Sequence, residues 1–234
     1  NGDPNAITPN IDRLATESIN FANAIGTSPV CTPARASLLT GRFPTTTGMF
    51  MNDIPLSPEE KSIGKAFKTG GYDTAYIGKW HVDGHGRDSY IPPERRQGFD
   101  YWKVLECTHD YQNSEYYDND DPNIKIWPGY DAFAQTDDAC TYINEHSKKQ
   151  FFLILSLGPP HFPHHNAPKE FEEMFSHKSI TFSPNVVFDD SKFEAFTRKE
   201  APGYYAHIAA LDKCVGDLIK VLKANDLEEN TILI

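Results

Sequence analysis

The run FFLILSL, residues 151–157, decides the architecture. It is apolar almost throughout, rich in β-formers, and closed by Gly158, Pro159 and Pro160. A run this short between breakers reads as a strand buried on both faces, which belongs in a parallel sheet covered by helices. Upstream, GYDTAYIGKWH (residues 71–81) reads as a second strand over Asp73–Gly78 that ends in Lys79, Trp80 and His81.

Helical stretches alternate with these strands. Thr8 as cap and Pro9 at the first position predict a helix from Pro9 to Glu17, with Ile11, Leu14 and Ala15 on one face. A short strand is expected around Ile19–Ile25. Thr32 as cap, Pro33 behind it and Gly41 as stop predict a helix of about two turns. Ser57, Pro58 and Glu60 resemble a capping box for a helix closed by Gly70 and Gly71, with Ile63, Ala66 and Phe67 buried. A helix is expected over Tyr130–Ser147. Another opens at Pro202, its stripe made of Tyr204, Ile208, Leu211, Val215, Leu218 and Leu222. Thr231–Ile234 reads as the start of a further core strand. Residues from Asp83 to Tyr130 read as a long loop-rich stretch folded over something. The alternation implies an α/β fold with a mainly parallel sheet flanked by helices.

The 234 residues carry a net charge of −11, so a general nucleic-acid binder, which would show a basic face, is excluded. No apolar run approaches the roughly 18 residues a membrane helix needs. The four cysteines are too few and scattered for a disulfide scaffold, and none forms a CxxC zinc pair. The acidic run Asp118–Asp121 lacks the glycine and terminal glutamate of a calcium loop and reads as solvated surface.

Three stretches carry chemistry. Cys31 directly precedes Thr32 and Pro33, so the unpaired N–H groups of a helix start favour an anion beside it, and Arg35 lies in the first turn. The competing reading is a small buried residue beside a cap. Lys79 and His81, two apart, leave a strand on the same side. The carboxyl ends of parallel strands are where α/β sheets bind ligands, and Lys and His offer a point charge and a transferable proton. A solvated lysine and a capping histidine would explain them equally well. His161 follows the buried strand, flanked by Pro159, Pro160 and Pro163, which lower the entropy cost of placing its ring. A metal cluster of His161, His164 and His165 is the less favoured use of this segment, because adjacent histidines point apart in extended chain. His85 is a weak candidate for a substrate contact. Tyr101, Trp102, Tyr111, Tyr116, Tyr117 and Trp127 suit stacking on sugar rings or plain packing. Together, Arg35, Lys79, His81 and His161 around a helix start suit a compact tetrahedral oxyanion, sulfate or phosphate.

These residues resemble a known family. CTPARASLLTGR (residues 31–42) is similar to the signature of the type I sulfatases in the alkaline phosphatase superfamily. GYDTAYIGKWH and PPHFP are similar to two further signatures, and TPNIDRLA to the approach to the first. The resemblance spans Thr8 to Ile234. It implies an alkaline-phosphatase-like sulfatase fold, here truncated at both ends, so that residues 1–234 are an incomplete N-terminal catalytic domain lacking its first strand and C-terminal part. It implies oxidation of Cys31 to formylglycine by the formylglycine-generating enzyme, and hydration to a geminal diol that attacks sulfur. Arg35 would stabilise that residue and the metal side. Lys79 and His161 would hold sulfate oxygens and assist the leaving group. His81 would contact the diol and help deprotonate it during sulfate release. Calcium or another divalent cation is implied, with Cys31 as its one ligand in this chain. The implied substrate is a sulfated carbohydrate or other small sulfate ester, in the periplasm or outside the cell. The chain alone is expected to be inactive. A phosphonate monoester or phosphodiester hydrolase, and a non-catalytic binder of sulfated glycans, are the alternatives.

Overall fold

The computed structural model describes residues 2–234. In chain order the strands are β1 (Asp73–Lys79), β2 (Tyr101–Leu105), β3 (Glu115–Asp118), β4 (Asp121–Ile126) and β5 (Phe151–Ser156). They form one sheet in the order β4-β3-β2-β1-β5. β1 is parallel to both β2 and β5, whereas β3 and β4 extend the sheet as an antiparallel meander. The sheet is therefore mixed, and its parallel part carries the site.

Alternation along the central strands divides the core into two faces. Tyr76 and Trp80 from the β1 end, Trp102 and Val104 from β2, and Phe152 and Ile154 from β5 point one way. They pack on Ala36 and Leu39 of α2 (Cys31–Thr40). Ile77, Tyr101, Leu153 and Leu155 point the other way. They meet Ala134 and Ala139 of α5 (Asp131–His146) and Leu218 of α7 (Ser191–Ala224). The remaining helices are α1 (Pro9–Thr16), α3 (Pro44–Thr47), α4 (Ile63–Thr69) and α6 (Lys169–Phe175).

Several expectations are corrected. Residues 19–25 form no strand, and Ile19, Phe21 and Ile25 are exposed without a ladder partner. Thr8 holds the N-cap position of α1, but its side chain makes no cap hydrogen bond. The buried Asp212 carboxylate of α7 accepts instead from the backbone N–H of Asn10 (3.0 Å) and Ile11 (2.8 Å). α2 begins at Cys31 with Val30 as N-cap, because the first helical bond runs from Ala34 N–H to Val30 O. Ser62, not Ser57, caps α4, which packs through Gly64, fitted closely against Gln97 and Phe99, and through Phe67, half-buried and stacked on Phe152. Ile63 and Ala66 stay exposed. The stretch 83–130 holds β2, β3 and β4. β5 is half-buried along its length because it lies at a sheet edge. α7 starts at Ser191, where Asp190 accepts from Lys192 and Phe193 N–H, so Pro202 lies inside it. Its buried face is mostly of small residues, with Ala206, Ala209, Ala210, Cys214 and Gly216, while Tyr204 is exposed. Residues 231–234 make no strand.

Candidate active site

The carboxyl ends of β5, β1 and β2 lie along one edge of the sheet, since the three strands are parallel. They carry His161, then Lys79 and His81, then His109. The start of α2 is pinned to the same edge. The Thr32 hydroxyl donates to the His81 carbonyl (2.7 Å), and the Thr32 N–H donates to Asn52 Oδ1 (3.0 Å). Cys31 thus sits half-buried in the first turn of a helix whose next residue is bonded to the Lys79–His81 segment.

Arg35 fixes the end of β1. Its Nη1 donates to the Lys79 carbonyl (2.7 Å), to Ser156 Oγ (2.7 Å) and more weakly to Tyr76 OH (3.3 Å). Tyr76 OH and Ser156 Oγ also donate to that carbonyl, at 2.9 and 2.8 Å. Three donors on one acceptor leave the Lys79 backbone little freedom. Gly78 makes the convergence possible, because a Cβ there would lie 2.3 Å from the Ser156 carbonyl oxygen and its φ is +103°. Lys79 is only 8% exposed as a residue. Among the described residues, its ammonium has no hydrogen-bond or ion-pair partner.

His81 is 2% exposed and holds a left-handed backbone, φ +57°. Its Nε2 lies 3.3 Å from Asp53 Oδ1, while Nδ1 is buried without a partner. Burial, and then the neighbouring Lys79 charge, push the imidazole down to about 4 against the pull of Asp53. It is therefore neutral at pH 7. Arg87 donates to Asp53 through Nε (3.2 Å) and Nη2 (2.8 Å), which holds that carboxyl below the usual carboxylate range. The loop after His81 is stapled by Glu106, whose Oε1 accepts from Asp83 and Gly84 N–H, both at 2.9 Å.

His161 is exposed, with Nδ1 2.7 Å from the Phe162 carbonyl. Its ring stacks on His109, with centroids 4.3 Å apart and planes within 12°. Burial, then the charges of Lys79, His161 and Arg87, lower His109 to about 4. Tyr111, fully buried beneath this loop, donates to the His161 carbonyl (2.9 Å).

The sequence-predicted residues Cys31, Arg35, Lys79 and His81 meet at one junction, and His161 joins them through His109. The other candidates do not. His164 turns away to Glu200 (3.5 Å), and no group of three His, Cys, Asp or Glu side chains among the described residues could hold a metal ion. His85 bonds back to Asp83. Trp102, Tyr111, Tyr117 and Trp127 are buried core, and Tyr116 stacks on Trp127. Asp118 and Asp120 pair with Lys125 and Arg96. Sequence reasoning missed Tyr76, Ser156, Asp53, Arg87 and His109. Only Tyr76 gave a signal, being two residues from Gly78 on an alternating strand.

Arg35, Lys79, His81, His109 and His161 gathered at the carboxyl edge of a helix-covered mixed sheet define the class, an α/β protein with its candidate site at that edge. The sulfatase family model matches residues 1–234, and the chain belongs to that family. An ulvan-active sulfatase from Formosa agariphila is 52% identical over 235 residues, which cover all of this chain and 45% of that protein. An endo-4-O-sulfatase from Bacteroides thetaiotaomicron is 30% identical over 271 residues, covering all of this chain and 51% of that protein. The crystal structure of the Bacteroides fragilis protein named yidJ superposes with a TM-score of 0.89 at 30% identity, over 97% of this chain and 55% of that one. The chain thus spans about half the length of the curated relatives it matches. Among the described residues no helix is long and apolar enough to cross a membrane.

Proposed function

We propose that this chain supplies the anion-binding half of a sulfatase active site that hydrolyses sulfate esters on a carbohydrate. The observation that carries the reading is the unpaired ammonium of Lys79, a residue only 8% exposed at the sheet edge where Arg35 and the start of α2 converge. A cation with no carboxylate partner at the edge of a parallel sheet is free to take an anion. Arg35 and the start of α2 add positive character at the same point. The carbohydrate class is supported by the relatives named for ulvan and for endo-4-O-sulfatase activity.

In this reading Cys31 is the precursor of formylglycine, which when formed supplies a geminal diol as nucleophile. Lys79 and His161 hold sulfate oxygens and stabilise charge on the transferring group, usually the largest catalytic contribution. His161 assists the departing sugar oxygen. Neutral His81 accepts a proton at Nδ1, the lone pair left free when Nε2 faces Asp53. Arg35 holds Lys79 in place through its carbonyl. The divalent cation of the family finds no three-ligand set among the described residues. Residues 1–234 are then an incomplete N-terminal catalytic domain acting in the periplasm or outside the cell, matured by the formylglycine-generating enzyme.

The test compares this chain with the same chain joined to segments matching the flanks of its relatives. Each is assayed on sulfated oligosaccharides and on a phosphodiester, with intact-mass analysis of residue 31. The expected result is sulfate release only from the extended form, with Cys31 converted to the aldehyde. Full turnover by the lone chain refutes the half-site. Faster phosphodiester cleavage refutes the sulfatase assignment. A thiol that stays unconverted in the native host points to a binder.

A further inference from the structure

Asp53 lies outside all the recognised motifs, yet it is built into the site. Arg87 grips both of its carboxylate oxygens, and Oδ1 faces His81 Nε2. Asp53 and His81 both hold left-handed backbones, with φ of +63° and +57°. Non-glycine residues take that conformation in about a few per cent of cases, Asp and His more readily than most. Hydrogen bonds hold both segments together. Thr32 is bonded to the His81 carbonyl on one side and to Asn52, the neighbour of Asp53, on the other. The first turn of α2 therefore sets the separation between Asp53 and the His81 ring.

We propose that Asp53, clamped by Arg87, is a positioning residue that fixes the His81 imidazole as its Nε2–H tautomer and leaves Nδ1 as a free acceptor. A carboxylate can only accept, so the ring nitrogen facing it must carry the proton. A neutral imidazole has one N–H, so Nδ1 is bare. That nitrogen is the buried ring atom without a partner. The sulfatase reading enters only in what Nδ1 serves: it takes a hydroxyl proton from the group on residue 31, and the imidazolium that forms is compensated by Asp53. Lys79 and Arg35 lie near the ring and would otherwise disfavour that added charge. The logic matches the carboxylate that orients histidine in hydrolytic triads.

D53A is the informative variant. Oδ1 faces both His81 Nε2 and Arg87 Nε, so an Asn keeps its oxygen there and leaves the ring as it is, whereas Ala removes the acceptor. The flank-joined protein, with Cys31 unconverted, is labelled with ring-15N histidine, and His81 signals are assigned by their loss in H81Q. At pH 7 the wild type is expected to show a protonated Nε2 and a bare Nδ1, with the Nδ1–H form appearing beside it in D53A. In converted protein, D53A should lower kcat about a hundredfold or more with KM changed only a few-fold, and D53E should restore most of kcat. A wild-type ring protonated at Nδ1 overturns the inference, as does an unchanged tautomer in D53A. If D53A fails to fold, the wild-type spectrum and D53E decide. A correct tautomer in a protein that releases no sulfate sinks the sulfatase reading and leaves the positioning role standing.

Discussion

Lys79 is mostly buried along its stem, and no carboxylate faces its ammonium among the described residues. K79M keeps the aliphatic stem and removes the charge. With no ion pair to lose, its melting temperature should stay within a few degrees of the wild type, while kcat/KM for a sulfate ester falls about a hundredfold or more. Scanning calorimetry and steady-state kinetics check both, and a clear loss of stability would mean that the charge is compensated. The Lys79 carbonyl behaves oppositely. Y76F deletes one of its three donors, and Arg35 and Ser156 remain, so the cost should be only about 1 kcal/mol by urea unfolding. Cys31, Arg35, Lys79, His81 and His161 were legible because each sits at a punctuated point of the chain, a helix start or a strand end. Asp53, Arg87 and His109 were not. Their meeting depends on how three loops fold back to one sheet edge, and no local pattern encodes that.

At the scale of elements, two glycines control the geometry. In β1, G78A forces a methyl into the Ser156 carbonyl at a φ of +103°, so β1 and β5 must separate. The expected cost is about 3 kcal/mol or more, read from the denaturant midpoint, with loss of activity because Lys79 leaves with the strand. In α7, a Cβ at Gly203 would lie 2.1 Å from the His164 carbonyl oxygen. G203A should push away the segment that carries His161 and lower kcat more than it lowers stability, which kinetics beside thermal melts would separate. These packing demands also explain which elements the sequence hid. β2, β3 and β4 are short and mix charges such as Lys103, Asp118 and Lys125 with aromatics, so they read as loop until their neighbours are known. α7 reads as starting at Pro202 because proline favours helix starts, whereas the Asp190 cap lies 12 residues earlier. Residues 19–25 have strand composition, but composition alone supplies no edge to pair with.

The whole molecule balances two opposing sets of buried titrating groups. Burial lowers His81, His109 and His207 to about 4 from the ordinary histidine value. Their unfolded forms bind more protons between about pH 4 and 6.5, so their contribution to stability rises with pH across that window. Burial raises Glu106 and Asp131 to about 7 from the ordinary carboxylate range. Their folded forms bind more protons between about pH 4 and 7, so their contribution is full at low pH and is lost as pH rises toward 7. The two sets oppose each other in the same window, and the wild-type stability should vary little between pH 4.5 and 6.5. E106Q removes one falling contribution and keeps an oxygen for the Asp83 and Gly84 N–H groups. Urea midpoints of E106Q should therefore climb more steeply with pH than those of the wild type over that range. Parallel curves would mean that Glu106 keeps its proton, or its charge, alike in both states. Glu106 staples the loop that follows His81, so a steeper curve would tie the pH response of the fold to the element that seats the proposed proton acceptor.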